Sequence, residues 1–180
     1  MGELGWVEGW PGGGIRTGRL WLREPETGDR GAVIELFCSA EVGAYVGGPR
    51  ERDEMERAVP EMPRRRHGLF VVDLDGAMIG IVTIDRHGAG SKGHVRPEGE
   101  EPELGYMFLP EAWGHGYATE ACAAALNWAA EALPGEPVVL CTQTANTASL
   151  RVAEKLGFTE VERFEEYGAE QWFGLWTRRG

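Results

Sequence analysis

The stretch ELGYMFLPEAWGHGYAT, residues 103–119, contains the pattern on which the fold prediction rests. Its first part, residues 103–109, is apolar and aromatic in the manner of a β-strand and stops at Pro110. Residues 117–133 follow with many alanines, and this composition predicts a buried helix. The sequence therefore predicts a strand, a glycine-containing turn and a helix in direct succession.

The turn before that helix carries Gly114 and Gly116. Glycine lets backbone N–H groups approach a ligand closely, and the first amides of a helix have no helical partner and lie at its partially positive end. The turn therefore predicts an anion site, to which the Thr119 hydroxyl adds a donor. An ordinary helix start that contains glycines explains the motif equally well. Dinucleotide and Walker motifs need further residues that are absent here.

The remaining chain predicts further strands and helices in a mixed α/β sheet. Asp75 and Gly76 between two apolar runs indicate a tight hairpin turn, and Gly157 indicates the end of the last helix. The element order is β-α-α-β-β-β-α-β-α-β-β. The predicted strands are residues 19–23, 69–73, 77–84, 103–109, 137–142, 158–164 and 171–177, and the predicted helices are residues 32–37, 50–62, 117–133 and 146–156.

Composition and charge favour one globular domain with a cationic partner. The 180 residues are 42% hydrophobic and 26% charged, which suffices for one sizeable core. The net charge of −11 would repel nucleic-acid phosphates, whereas amines are favoured partners. Solubility alone accounts for the charge equally well. Cys38, Cys122 and Cys141 are far apart and odd in number, so we expect core residues rather than disulfides or a catalytic thiol.

The N-terminal residues differ in character from the rest of the chain. Residues 1–18 are glycine-rich and predict a flexible arm, whereas residues 19–180 predict a single domain. Trp6 and Trp10 are unusual in a disordered arm and would pack on the domain or on a second subunit of a homodimer. The chain shows neither an apolar run of roughly 18 residues nor a secretion-signal pattern, so we expect a cytoplasmic protein without a membrane partner.

A second motif, about thirty residues after the glycine turn, makes a family resemblance specific. The pattern Asn-x-x-Ser-x-x-x-x-Glu-Lys-Leu-Gly-Phe occupies residues 146–158. Together with the strand and the glycine turn, it resembles the GNAT superfamily of acyl-CoA-dependent acyltransferases. The opening Arg-Leu-Trp-Leu-Arg of residues 19–23 is similar to the branch of ribosomal-protein N-acetyltransferases. Trp113 stands where many members carry Gln or Arg, but tryptophan is similar to that branch.

The resemblance implies a GNAT-like mixed, mostly antiparallel central sheet flanked by helices, and it implies binding of acetyl-CoA. The strand backbone would pair with the pantetheine arm like an added strand, and the amides of residues 115–119 would hold the pyrophosphate. Asn146 would contact pantetheine, and Ser149 would lie near the thioester sulfur. The implied coenzyme contacts are Met107, Phe108, Leu109, Trp113, Gly114, His115, Gly116, Tyr117, Ala118, Thr119, Asn146 and Ser149.

Acyl transfer to an amine needs donors for an oxyanion and a proton for the departing thiolate. The amides of Phe108 and Leu109 are the predicted oxyanion donors. Many family members use a tyrosine seven residues after the Asn as the acid, but Ala153 stands there, so Ser149 is the predicted catalytic acid. A helix-interior serine bonded to a carbonyl is its alternative. Asn146 has a helix N-cap as its alternative.

The predicted catalytic base is Glu103, at the start of the strand beside the thioester, where related enzymes often place a carboxylate. An exposed edge glutamate is the alternative. His115 is expected to contact the bound anion, whereas His67, His87 and His94 are expected to be surface or loop residues. The acidic loop 94–102 would attract a cationic amine, or it is simply solvated.

The predicted activity is direct transfer of an acetyl group from acetyl-CoA to a primary amine of a protein N-terminus or a small molecule, with no metal required. Direct transfer is favoured because the predicted site contains no activated nucleophile. Two alternatives stay open. The missing tyrosine at Ala153 would fit a noncatalytic acyl-CoA-binding regulatory module, and the same coenzyme site would accept a longer donor such as succinyl-CoA.

Overall fold

A computed structural model describes residues 12–178. Each predicted strand and helix is present with shifted bounds, and the structure adds β1 and the short helix α2. The strands are β1 (Ile15–Arg16), β2 (Trp21–Arg23), β3 (Leu69–Leu74), β4 (Ala77–Arg86), β5 (Pro102–Phe108), β6 (Val138–Gln143), β7 (Thr159–Glu166) and β8 (Ala169–Trp176), and the helices are α1 (Arg30–Cys38), α2 (Ala40–Gly43), α3 (Arg52–Ala58), α4 (Tyr117–Ala132) and α5 (Thr147–Leu156).

The eight strands form a sheet in the order β1-β2-β3-β4-β5-β6-β8-β7. Strand β2 is antiparallel to β1 and to β3, and β8 is antiparallel to β6 and to β7. Strands β5 and β6 are parallel, with Glu103 opposite Val139. This mixed, mostly antiparallel sheet with flanking helices confirms the predicted fold class.

One compact unit comprises Met1–Val82 and Tyr106–Ala121. Leu36, Val71, Met78 and Leu109 form an apolar cluster in its core. The predicted hairpin turn between β3 and β4 is present, because Asp75 and Gly76 both have the positive φ that a tight primed turn requires, 53° and 88°. This turn thereby fixes the register in which β3 and β4 pair.

Three buried charged side chains connect β2, β3 and the entry of α1 within this unit. Arg23 donates from Nε to Asp73 at 2.8 Å and from Nη1 and Nη2 to Asp29 at 2.8 and 2.9 Å. Burial opposes ionisation of Asp29, but the bonds from Arg23 and from the Glu26 amide outweigh it and lower its pKa. One guanidinium thus pairs with two carboxylates that have little access to water.

The second compact unit comprises Thr83–Gly105 and Cys122–Gly180. Its core includes Leu140 and Phe173, on the antiparallel strands β6 and β8. The Trp176 indole donates to the Leu156 carbonyl at 3.1 Å and thereby connects β8 to α5. Gly157 ends α5 in the left-handed conformation, with φ 87°, as the sequence predicts for this glycine.

The predicted N-terminal arm is described only in part. Trp6 and Trp10 lie outside the described residues, so their packing and the flexibility of the arm stay predictions. The end of the arm, Ile15–Arg16, forms β1 instead of irregular chain. Within residues 12–178, every helix is too short or too polar to cross a bilayer.

Candidate active site

The glycine turn of the first unit follows a single 3-10 turn, Pro110–Ala112, and opens α4. Gly114 and Gly116 both have φ of 79°, a conformation that residues with a Cβ rarely adopt. The first helical hydrogen bond of α4 runs from the Glu120 amide to the Gly116 carbonyl at 3.1 Å. The amides of residues 117–119 therefore precede the helical ladder, which is the arrangement that binds anions.

Two aromatic rings and one arginine support this turn. The rings of His115 and Tyr117 stack with centroids 5.3 Å apart and planes 14° apart. The Arg19 guanidinium lies over the Tyr117 ring at 4.6 Å and donates to the His115 carbonyl at 2.9 Å. Sequence reasoning missed Arg19 as a site residue, and its only signal was its place at the start of the Arg-Leu-Trp-Leu-Arg motif.

The backbone of β5 offers fewer ligand contacts than predicted. The Leu109 amide donates to the Ile79 carbonyl of β4 at 2.9 Å, so the prediction of Leu109 as an oxyanion donor is wrong. Backbone groups alternate between the two edges of a strand, so those of Met107 also face β4. Those of Phe108 face the other edge, and its carbonyl accepts from the Trp113 indole at 2.9 Å. Phe108 thus remains the best-directed of the three predicted backbone contacts.

Asn146 and Ser149 lie together at the start of α5 in the second unit. The Asn146 side-chain oxygen accepts from the Ser149 amide at 3.1 Å, so the N-cap alternative is correct for this oxygen. Its amide nitrogen still offers two donors to a ligand. Ser149 is buried, and Ala153, at the position of the family tyrosine, is buried as well.

Glu103 is paired with a histidine that the sequence did not single out. Its Oε2 lies 2.8 Å from His87 Nδ1, and His87 Nε2 lies 3.0 Å from the Lys92 carbonyl. Both ring nitrogens face acceptors, so both carry protons and the ring is an imidazolium. The bond to Glu103 outweighs burial and raises the pKa of His87 to about 9. His87 lies in the loop that follows β4, as predicted, but it is buried and not at the surface.

A second histidine–carboxylate pair lies beside the first. His94 Nδ1 lies 2.9 Å from Glu101 Oε2, and the His94 and His87 ring centroids are 4.9 Å apart. The Val95 and Arg96 amides donate to Glu101 Oε1 at 2.7 and 2.8 Å. Burial opposes ionisation of Glu101, but these bonds outweigh it and lower its pKa to about 2. Glu101 is fully buried, so the loop is not simply a solvated acidic segment.

Two of the three cysteines are poor nucleophiles. Burial raises the pKa of the Cys122 thiol, and burial together with the carboxylates of Glu103 and Glu166 raises that of Cys141 to about 12. Neither thiol is ionised at neutral pH, which agrees with their prediction as core residues and offers no thiolate for a covalent step.

The family of acetyltransferase (GNAT) domains matches residues 19–159 of this chain. The chain belongs to the GNAT family. The matched segment of this GNAT domain includes the glycine turn, Glu103, Asn146 and Ser149. The predicted superfamily and the acetyltransferase class are thereby confirmed.

Relatives and solved structures support the same assignment. YkkB, an uncharacterized protein of Bacillus subtilis, is 31% identical to the present protein over 147 residues. The aligned region covers 78% of the present protein and 82% of YkkB. An acetyltransferase structure from Agrobacterium tumefaciens is 27% identical, with 91% and 94% of the two chains covered and a TM-score of 0.68. RimL, a ribosomal L7/L12 α-N-protein acetyltransferase solved with coenzyme A, is 16% identical, with 88% and 94% covered and a TM-score of 0.67. That likeness shows the fold alone, so the ribosomal-protein branch stays a prediction.

The His87–Glu103 pair of the GNAT domain predicts a pH-dependent stability. The folded pKa of His87 is about 9 and its usual value is near 6.5, so the folded state binds the extra proton between these values. Stability from the pair is therefore full below pH 6.5 and lost as pH rises through 9, by up to about 3 kcal/mol. Urea unfolding of native protein and of the His87→Gln variant from pH 6 to 10 measures the free energy of unfolding that the pair contributes at each pH. Equal pH slopes for both proteins would contradict it.

Proposed function

We propose that this protein is an N-acetyltransferase that moves the acetyl group of acetyl-CoA directly to a primary amine, without a metal. The opening of α4 carries the proposal, because two left-handed glycines there precede amides outside the helical ladder. In the proposal, the amides of residues 115–119 hold the coenzyme pyrophosphate, with Trp113 and Gly114 shaping the turn. Membership of an acetyltransferase family supports the choice of this anion over others.

The Phe108 backbone is the proposed partner of the pantetheine arm and of the thioester oxygen. The backbone N–H and C=O groups of Phe108 point away from β4, and the Trp113 indole donates a hydrogen bond that fixes the Phe108 carbonyl. An amide held in this way needs no reorganisation when negative charge develops on the thioester oxygen. The nitrogen of the Asn146 side chain is the proposed further contact of the arm.

Glu103 is the proposed base that takes a proton from the incoming ammonium group. The freed amine attacks the thioester carbon and forms the new carbon–nitrogen bond, the carbon–sulfur bond breaks, and the proton that the nitrogen must still lose replaces the one that Ser149 gives to the thiolate. Pairing with the His87 imidazolium orients the Glu103 carboxylate. Ser149 is the proposed proton donor to the departing thiolate, because Ala153 cannot fill that role.

Replacing Ser149 with Ala is expected to lower kcat by about tenfold or more while changing the coenzyme Kd little, because the hydroxyl acts on the leaving group. Steady-state kinetics and calorimetric titration with coenzyme A measure the two quantities. The matched control is Thr147→Ala, which removes an exposed hydroxyl from the same helical turn. Unchanged turnover in Ser149→Ala would remove this residue from the mechanism.

Thiol release from acetyl-CoA tests the proposed function directly. Basic peptides with free N-termini and small polyamines serve as acceptors, since the net charge of −11 favours cationic partners. Succinyl-CoA replaces acetyl-CoA in parallel reactions to separate the longer-donor alternative. Preferential thiol release with peptides that have free N-termini would support the ribosomal-protein branch. Preferential thiol release with polyamines would support a small-molecule acceptor.

A noncatalytic acyl-CoA-binding regulatory module is the second candidate. The observation that favours it is Ala153, which leaves the position of the usual acid without a proton donor. Tight coenzyme A binding with no thiol release with any acceptor of the panel would establish this module.

The proposal also includes a cytoplasmic location and a homodimer in which residues 1–18 take part. Sedimentation of the protein with and without residues 1–18 tests the dimer.

A further inference from the structure

A carboxylate stands in the first turn of the proposed coenzyme site, where it should oppose phosphate binding. Glu120 lies one turn into α4, and its amide makes the first helical bond with Gly116. An ionised carboxylate there is stabilised by the same helix end that would bind the coenzyme phosphates, and it repels them. The turn therefore needs a neighbour that offsets this charge.

Thr17 and Arg19 surround the Glu120 carboxylate. Its Oε1 accepts from the Thr17 hydroxyl at 2.6 Å and from the Arg19 amide at 2.9 Å. Its Oε2 accepts from Arg19 Nε and lies 2.7 Å from Arg19 Nη2. The guanidinium thus neutralises Glu120, and both carboxylate oxygens face donors outside the turn.

The same guanidinium also orients a peptide of the turn. Its Nη1 donates to the His115 carbonyl at 2.9 Å. In a planar trans peptide the carbonyl and the next N–H point in opposite directions. Holding the His115 carbonyl toward Arg19 therefore directs the Gly116 N–H to the opposite side, away from Arg19. The stack of Arg19 on Tyr117 limits rotation of the guanidinium.

We propose that Arg19 is a positioning residue of the coenzyme site, which offsets the Glu120 charge and directs the Gly116 amide toward the coenzyme phosphates. The inference rests on the proposed function, because it takes the anion at this turn to be the pyrophosphate of coenzyme A. Arg19 acts through the turn and makes no direct ligand contact in this role.

Coenzyme A titrated into native protein and Arg19→Ala by calorimetry tests the proposal. We expect Kd to rise by about tenfold in the variant, equivalent to about 1.4 kcal/mol. Pantetheine, which lacks the phosphates, should bind native protein and variant alike in an NMR titration. The matched control is Arg16→Ala, because Arg16 is exposed, lies over the Trp21 ring at 4.1 Å and serves no role in the turn proposed here.

Glu120→Gln provides a second, opposite readout. It removes the carboxylate charge and leaves Arg19 positive, so coenzyme A should bind as tightly as to native protein or more tightly. In Arg19→Ala, adding Glu120→Gln should recover part of the lost affinity. An equal loss in Arg16→Ala and Arg19→Ala, or an equal loss of pantetheine and coenzyme A binding, would overturn the inference. Failure of native protein to bind coenzyme A would overturn the proposed function instead.

Discussion

Glu103→Gln is expected to lower kcat/KM for acetyl transfer by about 10²- to 10⁴-fold, the usual contribution of a general base. Glutamine matches the shape of glutamate, and its oxygen can still accept from His87, which lies 2.8 Å from the carboxylate. It cannot take a proton from the acceptor ammonium. The loss should therefore appear in the chemical step, with the coenzyme Kd unchanged.

Steady-state kinetics over pH 6 to 10 with one acceptor of the panel measures the effect. The loss should shrink at high pH, where the acceptor amine is already neutral and needs no base. The matched control is Glu98→Gln, since Glu98 is exposed and pairs only with Arg96 on the same loop among the described contacts. A Glu103→Gln protein with more than about one third of native activity at pH 7 would exclude the base role.

Arg23→Met is expected to lower the free energy of unfolding by about 3–5 kcal/mol. The substitution keeps an unbranched, buried side chain but leaves the carboxylates of Asp29 and Asp73 without their shared partner. Both buried carboxylates then lose the guanidinium and keep their backbone donors, the Glu26 amide for Asp29 and the Gly76 amide for Asp73. Urea unfolding at pH 7.5 measures the loss, and its transition should move to a much lower denaturant concentration.

Acidification separates this charge effect from a packing defect. The Arg23 guanidinium lowers the pKa of Asp29 in native protein, and without it burial favours the protonated form of this carboxyl, so the stability difference should shrink as pH falls toward 5. Arg163→Met is the surface control, because its partner Glu160 is exposed, and it should change stability far less than Arg23→Met does. A pH-independent difference for Arg23→Met would indicate packing alone.

Among the described residues, local patterns were sufficient to predict seven of the eight strands, four of the five α-helices and the glycine turn. Gly114, Gly116 and Gly157 have the backbone conformations that their positions require, because the demand for a left-handed residue is itself local. The hairpin at Asp75 and Gly76 follows for the same reason. The short strand β1 lies within the glycine-rich arm, where two residues carry too weak a pattern to be recognised.

The partners of the site residues could not be predicted in the same way. Arg19 and Glu120 are 101 positions apart, and only the fold brings them to 2.7 Å. His87 and Glu103 lie on segments separated by a long loop, so neither signals the other. The edge to which the Leu109 amide points depends on strand register, which apolar composition does not specify.

The burial of Ala153 also bears on how this chain can evolve. Its side chain is 1% exposed within α5, so a phenol at this position would displace packed neighbours. A single codon change is therefore not expected to regain the tyrosine of other family members without compensating substitutions around it.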